Sequence, residues 1–446
     1  MGRRATSGEF QGGDHRGMLA EPHPVGQSVP LPSRAMNQSR SRRRPVVAVA
    51  VALTLLLAAC SSSDGSSTVT SSTVSSSAAS SSAVPLSTAP SSTAAVTGGP
   101  GSLVSAEPVS GFVGRGWRVL YGSTSLADEP IEVSGLVMVP SGDPPPGGWP
   151  VVSWAHGTTG LADECAPSRD PGSTLAVAEV VLAQGYMVVA TDYEGLGTPG
   201  PHPYLVGESE GRGVLDIARL ARDPMFGGSD RVLIWGASQG GQAALFAGQI
   251  AGRYAPDLDV VGVVASAPAS GMAGAGRLAG TPLQGFLAMG LAGIAAARPE
   301  LDLTPYVTEE ALSRFDALEQ GCTAEVFAAF ADLDADSMIH REAWSFPMTP
   351  DDGPLGLALW ENDPGREPVA APVLIVQGDA DLIVRPDSTA VVRDRLCSLG
   401  TQVDYRLYEG AGHVDVNTVS VLEVLDWITA RFEGVAPPAE LSCAGL

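Results

Sequence analysis

Residues 231–247 read RVLIWGASQGGQAALFA, and this stretch constrains the chain more than any other. Val232, Leu233 and Ile234 lead through Trp235 into Gly236-Ala237-Ser238-Gln239-Gly240. A run of small residues with helical character follows. An apolar run, then G-x-S-x-G, then a helix is the sequence form of a nucleophile elbow. The turn is so tight that the serine must take a strained backbone conformation. The residues two before and two after it have no room for a Cβ, a need that Gly236 and Gly240 meet. Such a turn lifts the Ser238 hydroxyl above a sheet. It also aims the Gln239 amide and the start of the helix at a developing oxyanion.

The surrounding pattern supplies the rest of that architecture. Strand-like runs at 117–121, 131–139, 151–154, 186–190, 231–235 and 260–265 alternate with helical stretches at 173–184 and 208–222. This alternation predicts an α/β fold with a mostly parallel, doubly wound sheet. From 269 to about 361 the alternation stops, and the chain turns helical and rich in Ala, Gly and Leu. Strand patterns resume at 373–377 and 402–408, and a helix at 419–431 closes the chain. Residues 102–446 are therefore expected to form one α/β-hydrolase domain with an inserted helical cap at about 270–361. The apolar run 283–297 inside the insertion is too short to span a bilayer. It suits a buried helix or a lid that lines an acyl pocket.

A serine hydroxyl needs an imidazole to take its proton and a carboxylate to orient that imidazole. In α/β-hydrolases the chain order is serine, acid, histidine. Of the six histidines, His15 and His23 lie in the N-terminal tail, and His156 and His202 precede Ser238. His340 lies in the insertion, before any strand that could carry the acid. His413, in a glycine-flanked loop between the last strand and the last helix, is the expected base. The acid should follow the strand at 373–377. The spacing G-x-x-D-x-x-V selects Asp381, with Asp379 as the alternative, while Asp387 reads as a helix cap. The oxyanion amides are expected from Gln239 and from Thr158 on the loop after the 151–154 strand, with the Gly157 amide next in line. His156 should brace that loop. The sequence holds no metal-ligand cluster, no P-loop and no dinucleotide fingerprint, so neither metal nor cofactor is expected.

The N-terminal hundred residues have another composition. Residues 1–35 show no apolar periodicity and read as disordered or untranslated. The arginine-rich start at Met36 and the apolar run from Pro45 to Ala59 make residues 36–59 a signal peptide, with Met36 as the expected true start. The segment ends Leu57-Ala58-Ala59-Cys60, which resembles the lipobox of bacterial lipoproteins and implies lipidation of Cys60. Residues 60–101 are dominated by Ser, Thr, Ala and Val and read as a flexible linker. Every one of the 26 basic residues is arginine, and the formal net charge is −23. Eight arginines and three acids lie at or before residue 44, leaving 18 arginines against 46 acids, a balance of −28. That balance excludes nucleic acid and electrostatic adhesion to anionic lipid as partners.

Several motifs point further. The chain resembles the secretory lipase family of α/β-hydrolases in His156-Gly157-Thr158-Thr159-Gly160, in Cys165-Ala166-Pro167-Ser168 and in Asp192-Tyr193-Glu194-Gly195-Leu196-Gly197. It does so again in His202-Pro203-Tyr204-Leu205, Gly211-Arg212 and Gly236-Ala237-Ser238-Gln239-Gly240-Gly241. The resemblance runs from about Leu103 to Cys443. It implies esterase or lipase activity, a helical cap over an acyl tunnel, and a Ser238, Asp381, His413 triad. With Cys60 set aside, Cys165, Cys322, Cys397 and Cys443 remain, an even count that suggests two disulfides in an exported domain. Three pairings are open, and the resemblance favours Cys165–Cys322 and Cys397–Cys443. The expected function is hydrolysis of lipid-like or short-chain carboxylic esters by an exported, lipid-anchored serine enzyme. A peptidase on the same fold and a catalytically idle ligand-binding lipoprotein are the alternatives.

Overall fold

The computed structural model of the chain describes residues 98–171, 176–437 and Cys443. The extension, signal peptide, Cys60 and nearly all of the linker expected at 1–101 lie outside the described residues. Among the described residues, no helix is long and apolar enough to cross a membrane.

Among the described residues, nine strands form one sheet. They are β1 (Leu103–Val109), β2 (Arg115–Thr124), β3 (Pro130–Val139), β4 (Trp149–Ala155), β5 (Met187–Thr191), β6 (Gly228–Ala237), β7 (Asp259–Ser266), β8 (Val373–Gly378) and β9 (Val403–Tyr408), and they stand in the order β1-β2-β3-β5-β4-β6-β7-β8-β9. The three pairs at the β1 end are antiparallel. The five pairs from β5 through β9 are parallel. Helix α1 (Ala176–Ala183) joins β4 to β5, α2 (Gly207–Leu220) joins β5 to β6, and α3 (Gln239–Tyr254) follows β6.

Helices cover both faces of the sheet, so the central strands read as continuous apolar runs rather than as alternations. Val151, Val189, Val232, Ile234 and Ile375 pack on one face against Val214, Ile217, Ala244 and Ile250 of α2 and α3. Their chain neighbours Val152, Val188, Leu233, Trp235 and Val376 pack on the other, against Leu182 and the C-terminal helix. All are buried.

Between β7 and β8 lie α4 (Gln284–Ala297), α5 (Glu309–Leu312), α6 (Thr323–Phe330), α7 (Ala335–Met338) and α8 (Gly353–Glu361). These helices have their own apolar core, with Leu287, Ile294, Phe330, Met338 and Leu355, and it takes in Tyr204, Leu205 and Val206 from the main body. Gly293 of α4 lets that helix settle on the main chain. A Cβ there would stand 2.2 Å from the Tyr204 carbonyl oxygen. The chain closes with α9 (Pro386–Ser398) and α10 (Asp415–Phe432).

Two details differ from expectation. Asp387 is not a cap: the N-cap of α9 is Arg385 and Pro386 takes the first helical position. This proline preference at N1 moves the helix start upstream of Asp387, whose carboxylate instead pairs with Arg385. Helix α10 begins a turn before Val419, because its first turn is too polar to show an apolar period.

Candidate active site

The site forms where parallel strands end, the edge at which open α/β sheets bind ligands. Strand β6 runs into Ser238, whose φ is 58° and ψ −118°. An L-residue reaches that conformation only when its surroundings enforce it. The two glycines show the enforcement. A Cβ on Gly236 would lie 1.9 Å from the Gly240 carbonyl oxygen, and one on Gly240 would lie 2.0 Å from that of Ala155. Ser238 is the N-cap of α3, a sixteen-residue helix whose N-terminal amides and dipole favour negative charge beside the hydroxyl.

The loops after β8 and β9 bring the other two groups in. His413 Nε2 is 2.9 Å from Ser238 Oγ, and His413 Nδ1 is 2.7 Å from Asp381 Oδ2. Asp381 is buried. Its Oδ1 accepts from the amides of Ile383 and Val384, each at 2.9 Å, and its Oδ2 accepts from Gln377 Nε2 at 3.1 Å. Burial pushes its pKa up, but the contact with His413 and the two amides outweigh burial and hold it below the ordinary value. The carboxylate is therefore charged at neutral pH and fixes the imidazole with Nε2 toward the serine. Asp379 does not reach the histidine. Its Oδ1 accepts instead from the Gly410 amide at 2.6 Å.

Thr158 lies on the loop after β4 and lines, with Ser238, Gln239 and Tyr204, a cavity of about 240 Å³. Apolar residues of the insertion, Phe286, Leu287, Leu291 and Ile294 among them, line the same cavity. Gly157 backs Ser238, since a Cβ on it would lie 3.7 Å from the serine Cβ. His156 is buried and braces the loop. Its Nδ1 is 2.7 Å from the Gly157 carbonyl, and its own carbonyl accepts from the Tyr193 hydroxyl at 2.9 Å.

Behind Gln239 stands a buried polar cluster that sequence reasoning missed. Gln239 Nε2 donates to Glu210 Oε1 at 2.8 Å and approaches His202 Nε2 at 3.3 Å. His202 Nδ1 donates to the Glu194 carbonyl at 2.8 Å, so its Nε2 is free to accept. Burial lowers the His202 pKa to about 4, which keeps the ring neutral. Burial raises the Glu210 pKa to about 8, against the bonds from Gln239 and from the Leu205 amide. The one signal in the sequence was a glutamate on the apolar side of α2, in phase with Val214 and Ile217.

The described residues hold two disulfides. Cys165 is bonded to Cys322 and Cys397 to Cys443. The first joins the β4 loop region to the insertion, beside a β-bridge between Gly160 and Cys322. No group of His, Cys, Asp or Glu among the described residues could hold a metal ion.

The family model of the secretory lipases matches residues 173–439, more than half of the chain. The chain belongs to the secretory lipase family. A secreted triacylglycerol lipase of Malassezia globosa is 28% identical over 343 residues, which are 71% of this chain and 73% of that protein. A Mycobacterium tuberculosis protein named a probable inactive lipase is 26% identical over 335 residues, again 71% and 73%. Among solved structures, the closed state of Candida antarctica lipase A has a TM-score of 0.66 at 21% identity, covering 76% of this chain and 84% of its own. The rice cell wall degrading esterase of Xanthomonas oryzae has 0.63 at 19%, covering 75% and 98%. These likenesses show the fold, and with the parallel sheet and its helices it is the α/β-hydrolase fold. Family and fold together support an ester hydrolase.

Proposed function

We propose that the chain is a serine esterase or lipase that hydrolyses carboxylic esters through an acyl-enzyme on Ser238. The observation that carries this reading is the unbroken line from Ser238 Oγ through His413 to Asp381, at 2.9 and 2.7 Å. Ser238 Oγ attacks the ester carbonyl carbon while His413 Nε2 takes the hydroxyl proton. The carbonyl electron pair moves to an oxyanion beside the amides of Gln239 and Thr158. Collapse breaks the bond to the alcohol, which leaves with the proton from His413. Water then repeats the attack and frees the acid. The helical insertion acts as a cap, and the apolar cavity beneath it suits an acyl chain, lipid-like or short.

The Mycobacterium relative named a probable inactive lipase favours a second reading, a ligand-binding protein on the same fold. A panel of p-nitrophenyl esters against aminoacyl-anilides, run on the wild type and on Ser238→Ala, separates the possibilities. Ester turnover that the variant loses supports the proposal. Anilide turnover alone means a peptidase, and no turnover of either class means a binder.

The family's secretory character suggests export. For this chain we extend that to a lipid anchor on Cys60, after cleavage of residues 36–59. The support is the arginine-rich flank, the apolar run and the small residues before the cysteine. Two or more acyl chains would hold such a protein stably on a membrane, where one would not.

A further inference from the structure

The triad leaves a pair of hydroxyls unused. Thr158 Oγ1 and Tyr204 Oη lie 2.7 Å apart, and both residues line the cavity that holds Ser238. The pair has two hydroxyl hydrogens and one hydrogen bond between them. Neither oxygen has another protein partner among the described residues, so one hydrogen is left without an acceptor. The phenol is the stronger acid of the two, with an ordinary pKa of about 10. With the phenol as donor, the hydrogen left over is that of Thr158. Burial raises the Tyr204 pKa further, so the phenol stays a neutral donor at working pH.

Both partners are held in place before any substrate arrives. Tyr204 is 2% exposed and lies directly beneath Gly293 of α4. The next residue, Leu205, has φ 59°, and its amide is held by Glu210 Oε1 at 2.9 Å. On the other side, the Thr159 carbonyl accepts from the Thr323 amide of the insertion at 3.0 Å. A donor that is already oriented needs no rearrangement when charge develops, which is what makes such donors effective. A hydrogen bond received from the phenol also polarises the threonine hydroxyl and strengthens the bond it gives.

We propose that the Thr158 hydroxyl is a third oxyanion donor, beside the Gln239 and Thr158 amides, and that Tyr204 is the positioning residue that aims it. The inference rests on the serine-hydrolase reading of the site. It makes Thr158 a catalytic residue through its side chain as well as its backbone, and it gives the insertion a part in building the site through Gly293 and Thr323.

Kinetics of p-nitrophenyl butyrate hydrolysis, with inhibition by an alkylboronic acid that forms a tetrahedral adduct on the serine, test this. Thr158→Val keeps the amide and the branched shape but loses the hydroxyl. It should lower kcat by about 100-fold with KM nearly unchanged, and raise the boronate inhibition constant by a similar factor. Thr158→Ser should rescue most of the loss. Tyr204→Phe should cost about 10-fold, and the double variant Thr158→Val/Tyr204→Phe should be no worse than Thr158→Val alone, because the two act as a unit. Near-UV circular dichroism of each variant shows whether it is folded. Folded Thr158→Val with wild-type kcat and boronate affinity would overturn the inference while leaving the triad reading intact. So would effects of the two single variants that simply multiply. Wild type and Ser238→Ala alike in hydrolysis would overturn the hydrolase reading and this inference with it.

Discussion

Ser238 is held at positive φ by two glycines that have no room for a side chain, and that strain is what exposes its hydroxyl. At this scale much was legible. G-x-S-x-G states its own steric requirement, and His413 was the only histidine in a position to serve. The choice between Asp379 and Asp381 turns on which carboxylate reaches His413, and there the geometry separates them. Asp381→Asn should reduce kcat about 10⁴-fold, because an amide cannot hold the imidazole in the required tautomer. Asp379→Asn should cost well under 10-fold, since that carboxylate only accepts from the Gly410 amide. Steady-state kinetics of both variants on one ester is the check; the reverse ranking would make Asp379 the acid. The Glu210, His202 and Gln239 cluster was not legible, because it joins residues far apart in the chain and nothing local marks them as buried together. Glu210 also makes stability depend on pH. Its pKa is about 8 in the folded chain against 4.5 ordinarily. The folded state thus holds a proton that the unfolded chain releases, so its contribution is full below about pH 4.5 and is lost as pH rises to about 8. Glu210→Gln mimics the protonated form, and should flatten the fall of Tm between pH 5 and 8. A Tm profile parallel to that of the wild type would show that the carboxyl does not titrate there.

Among the elements, the central parallel strands were readable because burial on both faces makes them plain apolar runs. Strand β1 was not. Its burial falls on every third residue, Leu103, Ala106 and Val109, as suits an edge strand with little to cover it, and neither strand nor helix periodicity results. Of the insertion's helices only α4 was readable, as the apolar run 283–297, while α5 to α8 are four to nine residues long and showed only as helical composition. The loop after β4 matters most at this scale, because it carries Thr158 and is tied to the insertion by Cys165–Cys322. Replacing that pair by alanines should lower stability by roughly 2–5 kcal/mol, and should reduce kcat more than the same change at Cys397 and Cys443, which lie away from the serine. Urea denaturation with parallel kinetics reads both quantities. Equal kinetic effects from the two pairs would mean that the bridge does not position the loop.

For the whole molecule, the described residues place every group of the proposed chemistry between Thr158 and His413, within the stretch that spans β4 to α10. A chain of residues 98–446 should therefore fold, remain in the aqueous phase and hydrolyse esters at the rate of the full chain. In the full chain, Cys60→Ala should shift the protein from the detergent phase to the aqueous phase on phase partitioning. A variant that partitions like the wild type, with no acyl mass on Cys60, would remove the anchor from the account. The acidity of the domain adds no attraction to anionic lipid, so the tether alone should determine where the enzyme sits.

All of this depends on Ser238 being an activated nucleophile, and covalent labelling tests that directly. A fluorophosphonate reacts only with a serine whose proton has somewhere to go. Incubated with the folded protein, it should add one label per chain, mass mapping should place the label on Ser238, and ester hydrolysis should fall in step with labelling. His413→Ala should abolish the labelling. A folded protein that takes up no label, or takes it up elsewhere while Ser238→Ala hydrolyses esters at the wild-type rate, would contradict the account.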